Sequence, residues 1–178
     1  MSAIAPRIDP AAASGSPVDA AIERFYESVV RTKRVDPLTT EIVRLRCAGY
    51  HGCRFCASVR DARALELGLD EALVRKLADY ERSDLPERWK AALRLADALM
   101  IAPGSVAPAL SAQLHEHFTD AQIAELIFDV MKFSVQKVGV SLRTEPPANE
   151  RALTTIVYDE LGRWSLGEQL PQAAAVAG

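Results

Sequence analysis

Apolar residues recur at helical spacing along most of the chain. After Ser16-Pro17, a cap followed by a first-turn proline, Ile22, Phe25, Tyr26, Val29 and Val30 form the i, i+3, i+4, i+7 stripe of an amphipathic helix ending near Lys33. Asp36-Pro37 restarts the pattern, with Leu38, Ile42 and Leu45 on one face. Glu41 lies among them, so its carboxylate is either partly buried or aimed into a pocket. Gly49 and Gly52 loosen the end of this helix. Helical spacing resumes at Phe55, Val59 and Ala62 and closes at Leu65-Glu-Leu-Gly68, where a glycine can take the C′ position. Asp70 is placed to cap a helix carrying Leu73, Val74, Leu77 and Tyr80. Asp84-Leu-Pro-Glu87 joins a capping aspartate, an early proline and an acid ahead of the Trp89, Leu93, Ala96, Met100 stripe, which Pro103-Gly104 stops.

Val106 to Phe118 holds a shorter, weaker helix. Thr119-Asp-Ala-Gln122 is a capping box and opens the longest apolar helix, from Ile123 to Leu142. A helix apolar on most sides is central or shared with a neighbouring subunit. Pro146-Pro147 ends the helical region, and Leu153 to Tyr158 has β-branched character. The expectation is an all-α fold, a single-domain bundle of about six or seven helices. It comprises a flexible leader (1–16), a helical domain (17–145) and a C-terminal arm (146–178) that is mobile from Pro171 onward.

Composition narrows the functional classes. At 178 residues and 49% hydrophobic, the chain can build one core of its own. A net charge of −3 offers no basic field for nucleic acid or an anionic membrane. No run of about eighteen apolar residues exists to span a bilayer. Met1 to Ser16 has no secretory pattern, and the three cysteines cluster, which argues against a disulfide scaffold and for reduced thiols in a cytoplasm.

All three cysteines lie within Glu41 to Arg60, where Cys53 and Cys56 form a C-x-x-C pair. If a helix starts at or just after Gly52, its unpaired N–H groups and macrodipole favour thiolate over thiol there. One sulfur can then attack a peroxide or disulfide and the other can resolve the product. The plainer alternative is a pair of small buried hydrophobes. Cys47, His51, Cys53 and Cys56 are also zinc ligands by type, but structural zinc sites usually draw ligand pairs from two separated knuckles. Cys47 reads as a packing residue, and His115 and His117 as surface residues.

Glu41, twelve residues before Cys53, together with Cys53-x-x-Cys56 resembles the signature of the AhpD-like, carboxymuconolactone decarboxylase superfamily. The helix Ala91 to Asp97 and the run Phe118 to Leu126 support the likeness, which spans about Pro37 to Leu142. The resemblance implies an all-helical homo-oligomer (dimer, trimer or hexamer) with thiol peroxidase or disulfide-reductase chemistry. It implies no cofactor or metal; the substrate is a hydroperoxide or protein disulfide, regenerated by a thiol reductant. By the same resemblance Cys56 attacks, Cys53 resolves, and Glu41 starts a proton relay.

The family pattern places a histidine four residues after the second cysteine, where this chain has Arg60. On a continuous helix Arg60 shares a face with Cys56 and stabilises its thiolate, but it cannot exchange a proton near neutral pH. The alternative is an ion pair with Glu41 or Asp61. His51 is the candidate stand-in for the missing imidazole, against a capping or solvent-facing role. Arg44, Arg46, Arg54 and Arg63 make the neighbourhood basic. Three functions stay open: a redox enzyme, a lactone decarboxylase-like enzyme on the same fold, and a non-catalytic oligomer or redox sensor.

Overall fold

The computed structural model describes residues 5–13 and 15–171. The outer parts of the expected leader (1–4, with 14) and of the expected mobile tail (172–178) lie outside them.

Helix α1 (Pro17–Val30) starts at a capping box in which Ser16 and Asp19 bond each other's backbone N–H. Asp36 caps α2 (Pro37–His51), which ends at Gly52 with φ 67°, a left-handed conformation that costs glycine little. The short α3 (Arg54–Ala57) follows, then strand β1 (Val59–Asp61), α4 (Ala62–Glu66) and α5 (Glu71–Lys76). Three longer helices come next: α6 (Glu87–Ile101), α7 (Pro108–His117) and α8 (Asp120–Ser134, opened by the Thr119–Gln122 capping box). After α9 (Lys137–Leu142) the chain closes with strands β2 (Thr154–Tyr158) and β3 (Trp164–Gln169).

Helix α2 is the centre of the molecule. Val43 and Cys47 pack on one side against Ala92, Leu95 and Ala96 of α6 and Leu126 and Val130 of α8. Leu38, Ile42 and Leu45 pack on the other against Ala64, Leu77, Tyr80 and Leu93. The expected long helix from Ile123 to Leu142 breaks after Ser134 into α8 and α9; α8 buries Leu126, Val130 and Phe133 in the core, while Phe128, Met131 and Val138 stay exposed. Asp84 does not cap α6: Pro86 occupies that position, and Asp84 pairs with Lys76 at 2.6 Å.

The architecture is mostly helical, as the periodicity predicts, with a three-stranded sheet added. β1 pairs parallel with β2, in the register Val59–Thr154 and Asp61–Ile156, and β2 pairs antiparallel with β3. This sheet stops the helix expected across Phe55, Val59 and Ala62. The Ser58 hydroxyl donates back to the Phe55 carbonyl (2.9 Å), its carbonyl accepts from Thr154 N (3.0 Å), and the arm then claims residues 59–61. The hairpin turn seats on α1, where Arg31 donates to the Leu161 carbonyl at 2.7 Å. Gly162, at φ 80°, approaches α1 so closely that a Cβ there would stand 2.5 Å from the Glu27 carbonyl. At the other end, Arg7 N–H donates to the Leu142 carbonyl at 2.9 Å, holding part of the leader against α9. No helix among the described residues is long and apolar enough to cross a membrane.

Candidate active site

Helix α2 sets Glu41 and Arg44 three residues apart on one face, 2% and 4% exposed. Their side chains form a fork-to-fork pair, Nε to Oε2 at 2.6 Å and Nη2 to Oε1 at 2.7 Å. The rest of the guanidinium gathers the loop after the cysteines: Nη1 donates to the Cys56 carbonyl and Nη2 to the Val59 carbonyl, each at 2.7 Å. Asp61 N–H donates to Glu41 Oε1 at 3.1 Å. Glu41 is thus buried with both its oxygens engaged, and it also borders a cavity, so the two sequence readings meet in one residue.

Cys53 and Cys56 are free thiols, and both are buried. Cys53 is the N-cap of α3, and the Cys56 N–H donates to its Sγ at 3.3 Å. The hydrogen bond from the Cys56 thiol lowers the Cys53 pKa; burial opposes it, while the backbone N–H and Arg44 assist. Cys56, the donor in that bond, is raised by it and by burial, with Arg44 opposing. The pair therefore gives up its first proton more readily than an isolated thiol and its second far less readily. Once one proton is lost, Cys53 is the favoured seat of the charge and Cys56 of the remaining proton. Burial pushes the Cys47 thiol up to about 12, as befits the packing role the sequence suggests.

Accessibility distinguishes the two sulfurs. Cys56 lines a cavity of about 1000 Å³ together with Tyr26, Phe55, Phe133, Ile156 and Trp164, and Cys53 does not. Trp164 meets Phe55 edge-on at 5.5 Å, so the C-terminal hairpin supplies part of this wall. On the far side of Arg44 lies a second cavity of about 400 Å³, with Glu41, Asp61, Asp129, Lys132 and Tyr158 in its lining. Arg44 and Phe133 belong to both walls.

The other candidates fall elsewhere. Because α3 stops at Ala57, the helical face expected to join Arg60 to Cys56 does not form. Arg60 stands on β1, forked onto Glu71 at 2.8 and 3.0 Å and bonded to the Ala57 and Val59 carbonyls. Its ion-pair partner is neither Glu41 nor Asp61; Asp61 pairs with Arg63 at 2.7 Å. His51 ends α2 with Nε2 3.4 Å from Ser134 Oγ, outside the lining of the Cys56 cavity. Its pKa is lowered by burial and by Lys137. Arg54 pairs with the buried Glu145. The guanidinium beside Cys56 is Arg44, and its position three residues after Glu41 was a usable signal. Tyr26 and Tyr158 also reach the site, from opposite ends of the chain, and no local pattern marks them.

The fold is AhpD-like, and the site it carries is a C-x-x-C thiol pair. A structure from Agrobacterium tumefaciens, of a protein of unknown function described as a candidate antioxidant defence protein AhpD, superposes with a TM-score of 0.67 at 22% identity. It covers 82% of this chain and 100% of that one. An uncharacterised peroxidase-related protein from Ralstonia eutropha JMP134, described as an alkylhydroperoxidase AhpD core, gives 0.63 at 17% identity, covering 72% of this chain and 70% of that. A peroxidase-related protein from Silicibacter sp. TM1040 gives 0.59 at 20% identity with the same coverages. In sequence, the chain is 40% identical over 124 residues to the uncharacterised protein Rv2313c of Mycobacterium tuberculosis. That stretch is 69% of this chain but 44% of the relative, so the chain spans less than half the length of that protein. The uncharacterised YdfG of Bacillus subtilis is 26% identical over 104 residues, 57% of this chain and 70% of that one. No family model matches the chain.

Proposed function

We propose that the protein is a thiol-dependent peroxidase or disulfide oxidoreductase, of peroxiredoxin type, with Cys56 and Cys53 as its redox pair. The observation that carries this reading is Cys56 on the wall of the large cavity with its N–H on Cys53 Sγ. The descriptions of the AhpD-like neighbours agree with it.

The reaction starts from the singly deprotonated pair, with one proton between two sulfurs. As a hydroperoxide arrives, the Cys56 proton passes to Cys53 along the bond already joining them, and Cys56 becomes the thiolate nucleophile. Its sulfur attacks the terminal peroxide oxygen. The S–O bond forms, the O–O bond breaks, and the alkoxide takes up a proton and leaves as an alcohol. Cys53 then attacks the Cys56 sulfenic acid. The S–S bond forms, and hydroxide leaves with the Cys53 proton as water. An external thiol reductant returns the disulfide to two thiols. Arg44 offsets negative charge developing at Cys56, and Glu41 positions Arg44.

The test is alkylation and mass measurement after a stoichiometric pulse of tert-butyl hydroperoxide. The expected product is an intramolecular Cys53–Cys56 disulfide. Cys56→Ser abolishes turnover, and Cys53→Ser stops after one oxidation at the sulfenic acid. Thiols that stay free under the pulse sink the reading.

A further inference from the structure

We propose that Tyr26 is the proton donor to the leaving oxygen of the hydroperoxide, and that Tyr158, hydrogen-bonded to it, connects that proton to the charged cavity behind Arg44. This rests on the peroxidase reading and supplies the proton that Arg60 and His51, placed elsewhere, do not. Tyr26 comes from α1 and shares the cavity wall with Cys56. Tyr158 closes β2 and lines the smaller cavity with Glu41 and Asp61. Their hydroxyl oxygens are 3.2 Å apart, and either can donate. A hydroxyl carries one donor and spare acceptor capacity, so Tyr26 can give its proton toward the cavity while accepting one from Tyr158.

The surroundings suit a phenol that donates and recovers. Lys132 Nζ stands 5.2 Å from the centre of the Tyr26 ring, and the Arg63 guanidinium lies 4.8 Å from that of Tyr158. Both cations, with Arg44 between the cavities, favour a transient phenolate. Burial pushes the Tyr26 hydroxyl up to about 12, and its bond with Tyr158 and the Arg44 charge oppose the rise. Tyr158 is likewise raised well above its ordinary value, chiefly by burial. Tyr26 is therefore fully protonated at neutral pH. It is still a stronger acid than an aliphatic alcohol, which is about as weak an acid as water. Transfer from Tyr26 to an alkoxide is downhill.

In the step itself, the Tyr26 O–H bond breaks as the O–O bond breaks, and the alkoxide leaves as alcohol. The Tyr26 phenolate takes the Tyr158 proton, and Tyr158 regains one from water entering the smaller cavity; the hydroxide left behind passes to bulk solvent, where it neutralises the proton the thiol pair gave up on ionising. Tyr26 is the catalytic residue of this step and Tyr158 a positioning residue acting through it.

Single-turnover oxidation of the thiols with two oxidants tests this. tert-Butyl hydroperoxide releases an alkoxide, which needs a proton; peroxyacetic acid releases acetate, which needs none at neutral pH. Tyr26→Phe is expected to slow the first reaction roughly 10²-fold, the scale of general acid catalysis. It leaves the second nearly unchanged. Tyr158→Phe gives a smaller loss with the same split between oxidants. An equal loss with both oxidants assigns the tyrosines to packing and overturns the proposal; so does no loss with either. A wild-type protein oxidised by neither removes the peroxidase reading itself. If the variants fold poorly, the wild type decides. A normal solvent deuterium isotope effect with tert-butyl hydroperoxide, absent with peroxyacetic acid, supports the donor, and equal effects overturn it.

Discussion

Arg44 and Arg60 are each 4% exposed, each forks onto a carboxylate, and each takes up carbonyls of the loop that carries Cys56. Their surroundings differ. The partner of Arg44 is Glu41, on the same helix and 2% exposed; the partner of Arg60 is Glu71, whose side chain is 32% exposed. Arg44 faces the Cys56 cavity, whereas Arg60 faces a small pocket with Leu45, Val74 and Leu77. Strand alternation explains the split: Val59 lines the Cys56 cavity, Arg60 the pocket on the other side, and Asp61 the smaller cavity with Glu41. Nearness in sequence to Cys56 does not decide which guanidinium serves it. The pleat of β1 does.

The largest expected difference between the two clamps is in stability. Glu41→Ala strands a buried guanidinium, a change that costs about 3–5 kcal/mol. Glu71→Ala removes a partner already in contact with water, so water can take its place on the guanidinium. The expected loss there is about 1 kcal/mol or less. Urea denaturation of the two variants measures both, and equal losses break the comparison.

A second contrast concerns thiol ionisation. The Cys53 pKa is lowered, so the pair's first thiolate appears at lower pH than that of a free cysteine. The rate of alkylation by iodoacetamide accordingly rises with pH and reaches its midpoint below that of an unperturbed cysteine. Arg44 opposes the raised Cys56 pKa and helps lower that of Cys53. Removing its charge moves the midpoint upward. The double variant Glu41→Gln/Arg44→Gln makes that change without leaving either partner charged and alone. Arg60→Gln leaves the midpoint where it is. A midpoint that follows Arg60 instead of Arg44 reverses the assignment.

How much of this was legible depended on how local the cause was. The capping boxes at Ser16 and Thr119, the Asp36 and Asp70 caps and the left-handed Gly68 are set by a few adjacent residues, and the sequence displays them. The burial of Glu41 follows from Leu38, Ile42 and Leu45 on its helix face. The sheet was not legible. Val59, Arg60 and Asp61 become a strand only because residues some ninety positions later pair with them, and no pattern within 53–62 encodes that partner. The same long-range event displaced Arg60 from the face of Cys56. It also brought Tyr158 to Tyr26, which read only as part of an apolar stripe. The Asp84 cap failed for a local reason: α6 begins after Pro86, which leaves Asp84 outside the cap position and paired with Lys76.

The smallest expected effect is the most direct probe of the pleat. On a continuous helix through residues 53–62, Arg60→His restores an imidazole on the face of Cys56 and raises peroxidase turnover. On β1 the same imidazole meets Glu71 and the pocket of Leu45 and Leu77, out of the Cys56 cavity. No proton path then runs from position 60 to the peroxide, and turnover with tert-butyl hydroperoxide is expected to stay unchanged. The loss of the Glu71 fork costs some stability but no rate. A clear rise in turnover puts position 60 on the cysteine side after all. It then removes both the contrast between the two arginines and the need for the Tyr26 proton.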